Sequence, residues 1–193
     1  AESCYQKMLD HARGAGDLEG ECRALIALAH AANYTHKIDE LNAYGAAAMQ
    51  IAEQIGKRSL WTEALGQTTQ PPLTRGHLKL ARERFEQTIS AARALEDSRV
   101  LVHALTYRGL LHFFETEYDK AEATEREAAR LAAEMHDGFY VAVSLMYLGI
   151  SRGNQGGISE ALAALNEGLE MARRNGNQVA LSRVPNCIGW LHR

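Results

Sequence analysis

Between Val100 and Met135 the apolar side chains fall three or four positions apart in two runs, parted by the polar stretch from Glu115 to Asp119. That spacing puts one apolar stripe on each of two helices and predicts a helix–turn–helix hairpin. The same grammar returns forty residues later in VAVSLMYLGISRGNQGGISEALAALNEGLEMARR. A pattern that recurs at a fixed interval of this size marks a repeat architecture.

Stepping by forty from Gly109 gives Ala29, Thr69, Gly149 and Gly189, all small. Four residues earlier stand Leu25, Leu65, Leu105 and Leu145, with Pro185 in the last copy. In the second helix Leu41, Ala81, Ala121 and Ala161 share a column, and Ala12, Ala52, Ala92, Ala132 and Ala172 share another. Ile38, Leu78, Tyr118 and Ile158 open the second helices, and Leu9, Met49, Ile89, Ala129 and Leu169 form a further apolar column. Antiparallel helices approach closely only where side chains are small, which accounts for the Gly/Ala/Thr and Ala columns. One hairpin cannot bury both its faces, so each needs a neighbour before and after it.

The chain is therefore expected to be one all-α, right-handed superhelical solenoid over residues 1–193, beginning and ending in mid-repeat as a piece of a longer protein. Residues 1–16 read as a second helix, 17–56, 57–96, 97–136 and 137–176 as whole hairpins, and 177–193 as a first helix. Asp17, Asp97, Asp137 and Asn177 stand where a first helix needs its N-cap, and Gly16 and Gly56 where a helix closes. In the second repeat Pro71-Pro72 predict that the first helix stops near Thr69 and the chain runs extended through Leu73. Pro185 predicts a last helix that starts late or kinks.

These columns resemble the tetratricopeptide repeat family, most closely in Leu145-Met146-Tyr147-Leu148-Gly149 with Ala161 and Leu165, and next in Leu25, Leu28, Ala29 and Leu41. The repeat is longer than the family's usual one and lacks its closing proline, since Glu53, Arg93, Ala133 and Arg173 stand there. In length it is similar to the variant in large bacterial signalling and regulatory proteins and in animal polarity adaptors. The resemblance implies that the first helices line a concave groove in which a protein or peptide docks. Carried over position by position, the groove residues are Arg23, Ile26, His30 and Asn33, then Glu63, Gly66 and Gln70, then His103, Thr106, Leu110 and Phe113, then Val143, Met146, Ile150 and Gly153, then Asn186 and Trp190. This lining is polar in the first two repeats and apolar from Leu110 to Trp190, where Leu110, Phe113, Met146, Ile150 and Trp190 would form an exposed interaction strip. The alternative is that some of them pack against the next repeat. Among these positions Arg23 alone is Lys or Arg, which argues against a carboxylate-clamping groove.

Composition narrows the classes of function. Apolar residues make up 46% and aromatics 7%, with three prolines, which suits close-packed helices. The net charge of −3 is spread along the chain with no basic cluster, so no nucleic-acid partner is expected. No apolar run is long enough for a membrane span and no signal peptide is visible. Cys4, Cys22 and Cys187 share no metal-ligand spacing, and a reduced, cytoplasmic setting is expected.

Chemistry is harder to assemble. None of the eight histidines forms the helical pair with an intervening carboxylate that metalloproteases use, so no metal is expected, and no cofactor. His30 and His103 face the expected groove and are best read as ordinary surface or half-buried residues. The run Gly153-Asn154-Gln155-Gly156-Gly157 lacks the Lys-Ser/Thr and the strand of a phosphate loop and reads as an interhelical turn. The charged run from Glu115 to Arg130 reads as a solvated helix face. No nucleophile, base or metal set emerges, so an enzyme is not expected. The expected function is a protein- or peptide-binding scaffold, the sensing or docking part of a larger protein. The alternatives are a small-ligand sensor with a notch at Pro71, and a module that self-associates into a homo-oligomer.

Overall fold

The computed structural model describes residues 2–35 and 37–192. Every element among them is an α-helix: α1 Glu2–Ala15, α2 Leu18–Tyr34, α3 Ile38–Gln54, α4 Arg58–Gln67, α5 Gln70–Thr74, α6 Leu78–Ala94, α7 Ser98–Phe114, α8 Tyr118–Glu134, α9 Gly138–Asn154, α10 Ile158–Asn175 and α11 Gln178–Leu191. With the short α5 set aside, helix starts from Leu18 to Gln178 fall at steps of twenty, two to a repeat. This is the tetratricopeptide-like helical-repeat fold.

The spacing is kept by what happens between helices. Gly16, Gly56, Gly76, Gly156 and Gly176 adopt positive φ, and so do Glu96, Thr116 and His136, the non-glycine residues at the same phase. One left-handed residue reverses each of these turns, and glycine takes that conformation without a Cβ penalty. First helices then restart on side-chain caps. Asp17 accepts from the Gly20 amide at 2.9 Å and Asp97 from Val100 at 3.0 Å. Asp137 accepts from both Phe139 and Tyr140 at 3.1 Å, and Asn177 from Ala180 at 3.1 Å. In the second repeat Lys57 holds the position and makes no side-chain cap.

The chain divides into two compact units, Ala1–Val100 and Leu101–Arg193. In the first, Leu9, Cys22, Leu25, Leu28, Ala48, Ala52, Leu60 and Ala64 pack as one cluster. Cys22 donates its thiol to the Ala48 carbonyl at 3.3 Å, and burial pushes that thiol up to about 11. In the second, one cluster gathers Ala142, Val143, Met146, Tyr147, Leu165, Ala172, Ala180 and Val184, and another Val102, Ala132, Val141, Leu145, Leu148 and Ala164. The Ala12-to-Ala172 and Leu41-to-Ala161 columns are buried at every position. The Ile38-to-Ile158 column is not core: Ile158 is 40% exposed, because it sits at the rim where the second helix begins.

Two expectations about proline are corrected, the extended run through Leu73 and the late start of the last helix. The first helix of the second repeat is interrupted at Thr68-Thr69, one turn before Pro71-Pro72, and the prolines lie in the first turn of α5 rather than in extended chain. The Thr68 and Thr69 hydroxyls donate back to the carbonyls of Leu65 and Gly66 at 2.8 and 2.7 Å. Proline is tolerated in a first turn because its missing N–H would have had no helical partner. Both proline carbonyls still accept, Pro71 from the Arg75 amide at 3.1 Å and Pro72 from His77 at 2.8 Å. The last helix does not start late. It begins at Gln178 on the Asn177 cap, and Pro185 lies inside it on the exposed side.

Candidate functional site

The candidate surface is the face of the first helices, described unit by unit. In the first unit, residues 23, 26, 30 and 33 share one stripe of α2. Arg23 stands exposed and binds the Glu19 carboxylate at 2.9 Å, with Lys57 3.5 Å away from the same residue. The hydrogen bond from Arg23, and then the Lys57 charge, hold Glu19 below the usual carboxylate range. Glu63 on α4 accepts from Arg99 at 2.6 Å. His30 keeps solvent contact, yet the packing around its ring and the Arg99 charge hold its pKa below the ordinary imidazole value, against the pull of Glu63. Asn33 is half-buried. This face therefore presents charges that are already paired and screened by solvent.

In the second unit the same face is carried by α7, α9 and α11 and is more apolar. His103 is buried, with its ring 5.1 Å from that of Tyr107 and 6.0 Å, edge-on, from Tyr140. Leu110 and Ile150 are half-buried against the Val143–Met146 cluster. Phe113 is half-buried, 5.8 Å from the Tyr118 ring and 5.9 Å from Phe114. Trp190 is 46% exposed, and Asn186 is exposed beside it on α11. A Cβ on Gly153 would fall 3.0 Å from the Trp190 ring, so that glycine lets the indole lie close to α9.

Several of the expected groove residues cannot meet a partner. Ile26, Thr106 and Met146 are 5%, 0% and 1% exposed, and Gly66 at the equivalent place is buried too. This position faces the interior of its hairpin in all four repeats, so the solvent-facing stripe is narrower than the family register implies. Met146 is core, and the expected apolar strip is broken there. Thr106 spends its hydroxyl inside, donating to the Val102 carbonyl at 2.9 Å and sharing a 3.0 Å hydrogen bond with Ser144. Gln70 and Val143 are also buried. The reachable set is Arg23, His30, Asn33 and Glu63 in the first unit, and Leu110, Phe113, Ile150, Asn186 and Trp190 in the second. Sequence reasoning missed Phe114, which is 52% exposed. Its adjacency to Phe113 at a helix end was the available signal, since both cannot point into one core.

Comparison with known proteins agrees with this architecture. The family model described as anaphase-promoting complex subunit 5 matches residues 23–155 and 142–193. No curated protein sequence matches significantly. Among solved structures, BtubC from P. vanneervenii is similar at 14% identity and a TM-score of 0.77, covering 99% of this chain and 81% of that one. A Rap protein complexed with competence and sporulation factor is similar at 15% identity and a TM-score of 0.76, covering 98% of this chain and 58% of that one. A signal transduction ATPase with numerous domains and a tetratricopeptide repeat sensor, from Pyrococcus horikoshii, is similar at 18% identity and a TM-score of 0.68. The match covers 90% of this chain and 28% of that protein. At these identities the likeness is one of fold.

Proposed function

The chain belongs to the family described as anaphase-promoting complex subunit 5, and from that premise we propose that it is a protein-binding repeat scaffold whose partner docks on the first-helix faces. The observation that carries this is the exposure of Trp190 together with half-buried Phe113, Leu110 and Ile150, all on first helices of the second unit. Large apolar side chains on one exposed face are the usual anchors of an interface, where aromatics supply most of the affinity. Two structural neighbours support it: one was solved with a bound factor, and the other carries its repeats as a sensor. In the first unit, the paired charges of Arg23, Glu19, Glu63 and Arg99 would bear on partner choice more than on affinity. On this reading the chain is the sensing or docking part of a larger regulatory protein.

The test selects peptides from a random display library on the untouched chain. Phe113→Ser with Trp190→Ser is expected to abolish capture of the selected peptides, while Arg126→Ser with Glu167→Ser on second helices leaves it intact. Equal capture by both variants, with helicity preserved, would remove the first-helix faces as the site. No binders from the library, against a positive result for a known repeat scaffold, would count against a peptide-docking role altogether.

A further inference from the structure

The turn between α7 and α8 gathers metal-ligating side chains from a six-residue stretch. His112 lies in the last turn of α7, Glu115 just beyond it, and Glu117 immediately before α8. Thr116, at φ 59°, reverses the chain between the two glutamates. The reversal is closed by the Glu117 amide, which donates to the His112 carbonyl at 2.9 Å. The glutamate side chains therefore turn back onto the imidazole. His112 Nδ1 is 2.7 Å from one Glu117 oxygen and 4.0 Å from Glu115 Oε2, and one ligand atom from each residue lies within 4.8 Å of the other two. Among the described residues, this is the set in which three such side chains meet.

Nothing in the hairpin demands this trio. The equivalent positions hold Pro72, Arg75 and His77 in the second repeat and Arg152, Gln155 and Gly157 in the fourth. Two of the three groups are also unusually enclosed, the side chains of His112 and Glu115 each being 9% exposed.

We propose that the α7–α8 turn is a divalent-metal site, with His112 Nδ1 and the carboxylates of Glu115 and Glu117 as ligands. One nitrogen and two oxygens suit a borderline ion such as Zn2+, and three protein ligands leave a coordination position for water. The bound ion takes the place of the proton that His112 Nδ1 shares with Glu117, and the imidazole ligates as the neutral tautomer with its proton on Nε2. Two cations compete: Arg108 is 3.7 Å from Glu115 and Lys120 is 2.7 Å from the second Glu117 oxygen. The ion must displace Arg108 from Glu115, while Lys120 can keep its own oxygen. The site ties the end of α7 to the start of α8 and so acts as a clip on that turn.

Calorimetric titration of the untagged, chelator-stripped chain with Zn2+ tests this, with Co2+ absorption as the spectroscopic arm. The expected result is one ion per chain, visible-region Co2+ bands of low coordination number, and a rise in Tm with Zn2+. His112→Ala, and separately Glu117→Gln, should weaken that binding by more than about tenfold. Helicity is followed in each variant, and Glu115→Gln serves if His112→Ala does not fold. The proposal is overturned if Zn2+ does not bind, or if it binds equally well to folded variants lacking His112 or either glutamate.

Discussion

Gly109 on α7 leaves the space that Glu125 on α8 fills. A Cβ on Gly109 would fall 2.8 Å from Glu125 Cγ. The glutamate is fully buried, and neither carboxyl oxygen makes a hydrogen bond of good geometry. Burial pushes its pKa well above the ordinary carboxylate value, and the nearby Ser144 hydroxyl pulls the other way too weakly to offset it. Burial without such a bond favours the neutral acid over the carboxylate. Forty residues on, the same pair is Gly149 and Leu165, with a Cβ on Gly149 falling 2.6 Å from Leu165 Cγ.

A pH dependence follows from the direction of that shift. The folded state holds the Glu125 proton more tightly than the unfolded state, whose pKa is about 4.3. The contribution to stability is complete below that value and is lost as pH rises from there toward the raised folded value. Urea midpoints of the wild type should fall across this window relative to Glu125→Gln, which has no proton to lose. Parallel pH profiles for the two chains would show that Glu125 is not the titrating group.

Glu125→Leu reproduces the neighbouring repeat's Gly149–Leu165 packing and removes the unbonded oxygens. It should stabilise the chain by about 1–3 kcal/mol, read from the denaturation midpoint. Gly149→Ala should cost about 1–3 kcal/mol, because its Cβ would meet both Leu165 and the Ala161 carbonyl.

The three non-glycine residues at positive φ give a local test. Glu96→Gly and His136→Gly should each raise stability by about 0.5–1 kcal/mol, since the left-handed turn no longer opposes a Cβ. A loss of stability in either would mean that the side chain makes a contact outweighing its backbone strain.

Helix starts give another. Asp137 caps α9 through two amides, so Asp137→Ala should cost about 1 kcal/mol. Lys57 caps nothing, and Lys57→Asp should add up to about 1 kcal/mol to α4 by supplying the missing acceptor. Thermal melts of the two variants, shifted in opposite directions, would check both.

What the sequence displayed best was the set of positions with least freedom. The Ala12-to-Ala172 column is buried throughout, because a larger side chain there would force two helices apart. The fate of Met146 was not legible: an apolar residue on a first helix can face a partner or its own second helix, and a shift of one position decides which. The α7–α8 cluster was hidden for a different reason. His112 and Glu115 are only three residues apart, but Glu117 falls out of helical phase, and only the left-handed Thr116 folds it back onto them. The helical turn at Pro71-Pro72 was missed because proline forbids a helix interior but not a helix start.

The central claim, docking on the first-helix faces, is met most directly by site-specific photocrosslinking in cells that carry the native gene. A crosslinking residue is placed at Phe113, Ile150 or Trp190, and in controls at Arg126, Glu134 or Glu167 on second helices. The account predicts discrete protein adducts from the first set and none from the second. Adducts confined to the second-helix positions would contradict it.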